Sequence, residues 1–156
     1  MRIITAEIIN KMSSPEGDSP EFDILWNGKL EELEANFSEI KDRLPATAVS
    51  FYEKYNLAGC AVFARAHNWE TEEYQFVIGK PAEQKIVFVG YNLTSNPEID
   101  MFHGEGFGIQ EPAMWLYDEF HLKKNYAEHH VVFSDGLSYI MPFNSMFVRE
   151  CNFFDQ

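Results

Sequence analysis

Basic residues are scarce in this sequence: 12 Lys and Arg stand against 25 Asp and Glu, for a formal net charge of −13. Phosphate recognition rests on clustered Lys and Arg, and the only adjacent basic pair is Lys123-Lys124. No direct nucleic-acid ligand is therefore expected. Cysteine is nearly absent as well. Cys60 and Cys151 belong to no CxxC and have no nearby His pattern, so neither zinc spacing nor a secreted disulfide framework is indicated, and both read as buried free thiols. No window approaches the ~18 apolar residues of a membrane helix. The opening stretch meets an acid at Glu7 and polar residues from Asn10, too soon for a signal peptide. A cytoplasmic location without membrane contact is the expectation.

Catalytic signatures are also missing. The chain has no G-x-S-x-G elbow, and neither cysteine has neighbours that would lower its pKa. The glycines around Gly104-Glu105-Gly106-Phe107-Gly108 match neither a dinucleotide loop nor a P-loop, and Asp100 and Glu105 would repel phosphate, so the segment reads as a bend or an interaction loop. Five histidines (67, 103, 121, 129 and 130) are the groups that titrate near neutrality, yet no pair forms HExxH or HxH. No metal and no cofactor are expected. His129 and His130, adjacent in a strand, would point to opposite faces.

What is abundant is apolar and aromatic surface: 46% hydrophobic residues, with 14 Phe, 7 Tyr and 3 Trp among 156 residues. That supports one domain over 1–156, able to bury roughly two-thirds of its unfolded surface. Residues 2–9, rich in Ile3, Ile4, Thr5, Ile8 and Ile9, are predicted as a strand, and 11–23, with its Pro, Gly and Ser, as a mobile loop. Leu30, Leu33, Phe37, Ile40 and Leu44 recur at helical spacing over 29–43, capped by Asn27, and Pro45 opens a second helix to about Tyr55. Strands follow over 59–66, 73–78 and 85–91. Pro112 and the run Met114, Trp115, Leu116, Tyr117 and Phe120 predict another helix over 111–124. Strands 130–134 and 137–141 flank Asp135-Gly136, the pair that a type I′ turn favours. The sum is an α+β fold with a largely antiparallel sheet, two to three packed helices and a C-terminal β-hairpin.

Acids interleaved with aromatics outside the helices are the candidate binding residues: Trp69, Glu70, Glu72, Glu73 and Tyr74, then Asp100, Phe102 and Glu105. Aromatic anchors ringed by carboxylates suit an interface that captures Arg and Lys, so the expected partner is a basic protein. The other reading of these acids is a solvated surface. In size, acidity and α+β layout, and in the opening with Leu44-Pro45, a second helix and Tyr55-Asn56, the chain resembles the small acidic immunity proteins that neutralise bacterial polymorphic toxins, as in contact-dependent inhibition. The resemblance implies occlusion of the basic groove of a cognate toxin domain, a nuclease. Two alternatives are an acidic nucleic-acid mimic that blocks a DNA- or RNA-handling protein, and a small enzyme built from His67, His103 and acids.

Overall fold

The structure, a computed structural model, describes residues 2–12, 14–101 and 112–153. Three α-helices, α1 (Ala6–Met12), α2 (Pro20–Ile40) and α3 (Ala46–Lys54), precede seven strands among these residues: β1 (Ala61–Asn68), β2 (Glu73–Lys80), β3 (Lys85–Leu93), β4 (Glu98–Met101), β5 (Trp115–Leu122), β6 (Ala127–Phe133) and β7 (Leu137–Asn152). The fold is α+β with an antiparallel sheet, as expected, and no helix of the described residues is long and apolar enough to cross a membrane.

The strand order is β1-β2-β3-β7-β6-β5, with β4 also on β7. β3 and β4 form one broken line along β7, because Leu93 pairs with Phe143 and, after residues 94–97, Glu98 pairs with Ile140. The sheet curls until its two ends meet. Ala61 bridges Met114, the Gly59 N–H donates to the Trp115 carbonyl at 2.8 Å, and the Trp115 N–H donates to the Cys60 carbonyl at 2.9 Å. Backbone groups that would otherwise lie open on the two edge strands are thereby paired.

The concave face is aromatic. Phe76, Trp115, Phe133 and Tyr139 meet at centroid separations of 5.3–5.8 Å, edge-on except for the tilted pair Phe76–Phe133, and edge-on pairs contribute about 1 kcal/mol each beyond burial. α3 closes this bowl with Ala48 and Phe51, while the end of α2 adds Phe37 and Ile40. On the convex side, α1 and the first half of α2 cover β5 and β6 through Ile4, Ile9, Trp26, Leu33 and Val132.

Four expectations need correction. Residues 2–9 are not a strand: Ile3 and Ile4 lie in a bend, and Thr5 starts α1 by accepting the Ile8 and Ile9 N–H groups, so Ile8 and Ile9 are buried as helical residues. Of the segment 11–23 expected as a mobile loop, the described residues 11, 12 and 14–23 belong largely to helices and caps. Each Ser-Pro pair is an N-cap followed by a first-turn proline: Ser14 accepts the Glu16 N–H at the 3-10 turn Pro15–Asp18, and Ser19 accepts the Phe22 N–H at the start of α2. α2 therefore begins before Asn27, and Leu30 on it is exposed. In the segment 111–124 expected as a helix, Trp115–Leu122 form strand β5. Its Trp115 and Phe120 face the bowl while Leu116 and Tyr117 lie under the helices, so two covered faces erase the polar alternation that marks a strand.

The hairpin β6–β7 is present, yet its turn differs from type I′. Only Gly136 has a positive φ, of 85°, and its N–H donates to the Phe133 carbonyl, so Ser134-Asp135 turn in the ordinary right-handed sense with Gly136 closing them. Gly136→Val should cost about 1 kcal/mol or more, because a β-branched side chain is strained at that φ. An unchanged midpoint in urea denaturation would refute it. β7 runs on through Pro142 to Asn152, and both cysteines are half-buried thiols.

Candidate functional site

The β1–β2 turn, residues 69–72, is rigidly built. Asn68 Oδ1 accepts the Glu70 and Thr71 N–H groups at 3.0 and 3.3 Å, and the Glu72 carbonyl accepts the Leu93 N–H at 2.8 Å. Glu72 holds a positive φ of 55°, a conformation that costs a non-glycine residue energy. Trp69 is 66% exposed, but its ring rests on the His67 imidazole at 3.8 Å. A large apolar side chain is thus held in solvent with little freedom left to lose on binding.

The same end of the sheet carries β4. Cross-strand pairs share a face: Ile99 pairs with Tyr139 on the concave side, whereas Glu98 and Asp100 pair with Ile140 and Ser138 on the convex side. Ile99 and Met101 are 54% and 56% exposed. Ring contacts link the two segments, from Trp69 to His67, then to Tyr74 at 5.4 Å and on to Tyr139 at 5.9 Å. At this end of the sheet the exposed apolar residues are Trp69 on the β1–β2 turn and Ile99 and Met101 on the concave side of β4; the exposed Glu70, Glu72 and Glu73 accompany the turn, and Glu98 and Asp100 project from the opposite face of β4.

Of the residues expected from sequence, Trp69, Glu70, Glu72 and Glu73 lie together at the β1–β2 turn, while Asp100 lies on the convex side of β4. Tyr74 does not contact solvent. It is buried, its hydroxyl pKa pushed up by burial and by Tyr139, and it forms the floor under Trp69 and His67. Phe102, Glu105 and His103 lie outside the described residues, as do the glycines at 104, 106 and 108. His67 Nε2 lies 3.9 Å from Glu72 Oε2, and the ring serves as a stacking platform. A second exposed apolar group, Ile24, Leu25 and Leu30, lies on α2 beside Glu21, Asp23 and Glu31.

Two polar clusters were not legible in the sequence. In the bowl, the fully buried His129 receives the Tyr91 hydroxyl at Nδ1, 2.7 Å away, and faces Asp118 Oδ2 with Nε2 at 2.9 Å. A carboxylate only accepts, so the ring proton is on Nε2. Asp118 Oδ1 also takes the Trp115 Nε1–H at 3.0 Å, and the Phe120 ring stacks on His129 at 4.1 Å. Burial pulls the imidazole pKa down more than Asp118 lifts it, which keeps the ring neutral.

On the convex side, Glu119 pairs across the strands with His130, and His121 with Glu128. Glu119 Oε1 lies 3.0 Å from His121 Nε2 and 3.6 Å from His130 Nδ1, while both its oxygens accept the Ile3 N–H and Oε2 also accepts the Ile4 N–H. Burial pushes the Glu119 pKa up, but these histidines and the backbone donors outweigh it and hold the group at about 2. One ligand atom from each of Glu119, His121 and His130 lies within 4.8 Å of the others, close enough to hold a metal ion. The signal was Glu119-x-His121, which shares one face only if the segment is a strand.

Together these features define an acidic α+β domain with a curled antiparallel sheet and exposed apolar and acidic residues at one end. No protein-family model and no curated protein matches the sequence. A crystal structure of an uncharacterized protein from Neisseria gonorrhoeae is similar over 60% of this chain and 93% of its own, at 9% identity and a TM-score of 0.44.

Proposed function

We propose that this chain is an immunity protein that binds a basic toxin domain, a nuclease, in the cytoplasm and covers its substrate groove. The observation that carries the reading is the exposed Trp69, its ring resting on His67 and accompanied by the exposed Glu70, Glu72 and Glu73, on a chain of net charge −13. Long-range attraction would speed encounter with a cationic groove, and the desolvated Trp69 side chain would slow release. Glu72 supports the same reading. A glutamate kept where glycine is less strained fits a position retained for its carboxylate.

The test is protection. Co-expression with a cognate basic toxin domain should restore growth, and Trp69→Ala, which removes an exposed side chain, should abolish protection while leaving the unfolding free energy within about 0.5 kcal/mol of the parent. Full protection by Trp69→Ala, or no complex with the toxin domain, would refute the proposal. Glu72→Gly should separate stability from function. Relief of the left-handed strain should stabilise by up to about 1 kcal/mol while capture of the toxin slows. A less stable variant, measured by urea denaturation, would show that Glu72 serves the fold.

A further inference from the structure

The geometry points to a divalent metal site formed by Glu119, His121 and His130, of the class that takes Zn2+, with a structural link to the N-terminal segment. It is independent of the binding surface proposed above. His130 Nδ1 is buried without a hydrogen-bond partner, on a side chain 7% exposed, and faces Glu119 Oε1 at 3.6 Å. The other nitrogen of the ring, Nε2, is already engaged with Glu128 Oε2 at 2.9 Å. A buried polar atom without a partner is costly, and an ion seated between Nδ1 and Oε1 would supply one.

The donor set completes the case. Two imidazole nitrogens and one carboxylate oxygen suit Zn2+ and its neighbours better than Ca2+ or Mg2+, which prefer all-oxygen shells. Tetrahedral bonds of about 2.0–2.1 Å place ligand atoms about 3.3 Å apart; the separations of 3.0 and 3.6 Å from Glu119 Oε1 are near that value, and the two imidazole nitrogens lie within 4.8 Å of each other. The outer partners are also in place. His130 presents its second nitrogen to Glu128, which Lys123 Nζ approaches at 3.5 Å, and Glu119 Oε2 stays bonded to the Ile3 and Ile4 N–H groups when Oε1 turns to the ion. The adjoining cavity, lined by Arg2, Ile4, Glu119 and His130 among others, holds about 10 Å³, room for one water as the fourth ligand and for nothing larger. Arg2, held by Ser138 Oγ at 3.0 Å, lines the same cavity and opposes the ion's charge. Binding displaces the proton shared by His121 and Glu119 and ties the strand pair to the chain's first residues through one carboxylate.

The test is a titration of the full chain with Zn2+, and with Co2+ for its visible absorption. One ion per chain should bind with micromolar or tighter affinity. Binding should weaken at least 10-fold in His121→Ala and His130→Ala, and about 10-fold in Glu128→Gln, where only an outer partner changes. Glu31→Gln on α2 should bind as the parent does. Zn2+-induced amide shifts in NMR spectra should centre on Ile3, Ile4 and the three ligands. Lack of saturable binding by the unaltered chain up to about 1 mM overturns the proposal even if every variant misfolds. So does undiminished affinity in the folded His121→Ala/His130→Ala double variant.

Discussion

His129→Ala should lower stability by about 4 kcal/mol, a fall of roughly 10 °C in melting temperature for a domain of this size. The loss has two sources. An aromatic-sized cavity opens where the ring stacked on Phe120 and met Phe51 edge-on, and the Tyr91 hydroxyl and the Asp118 carboxylate lose their shared partner inside the bowl. A melting temperature within about 3 °C of the parent would mean that water or a neighbour replaces the ring at no cost. The same residue sets a pH dependence. Burial depresses its native pKa below the ordinary 6.5, so the unfolded chain takes up a proton that the folded chain refuses. Its contribution is complete above about pH 6.5 and is lost as pH falls below it. Glu119 acts in a lower window, with a stabilisation complete above its ordinary 4.5 and lost as pH falls toward about 2. Urea midpoints measured across pH should decline in both windows, and His129→Phe should flatten the upper decline alone.

Reversal of Glu70, Glu72, Glu98 and Asp100 to Lys should slow association with the toxin domain about 100-fold at low salt, because it replaces attraction by repulsion at the end of the sheet that carries Trp69 and β4. The effect should shrink to a few-fold near 1 M salt, where screening acts within about 3 Å. Equal reversals at Glu31, Glu32, Glu34 and Glu39 alter the net charge by the same amount but sit on α2, and should slow association less. Stopped-flow rates on both sets, with folding checked by circular dichroism, decide the matter. If the α2 set is the more damaging, the interface lies with the exposed Ile24, Leu25 and Leu30.

The exposed turn around Trp69 was readable because its signal is local. Trp69 and the acids around it belong to one turn whose Asn68 supplies its own hydrogen bonds, so composition and position agree. Tyr74 was misassigned as a contact residue because alternation tells which side of a strand a residue takes and not which side is covered. The metal-capable cluster stayed hidden for a different reason. Read as helix, residues 119 and 121 diverge around the axis; as strand, they share a face and meet His130 across the ladder.

By itself the sequence determined the α+β class, the antiparallel pairing of β1 to β3, helix α3, the closing hairpin and the acidic surface, all of which follow from short-range periodicity, turn chemistry and charge. Only the tertiary structure decided that the isoleucine-rich opening would be helical and that the Trp115 segment would be a strand. In both places the local pattern was apolar on more than one side, and the choice fell to whichever backbone partner the rest of the chain supplied. Glu119 supplied it for Ile3 and Ile4, and the ladders of β6 and β1 supplied it for β5.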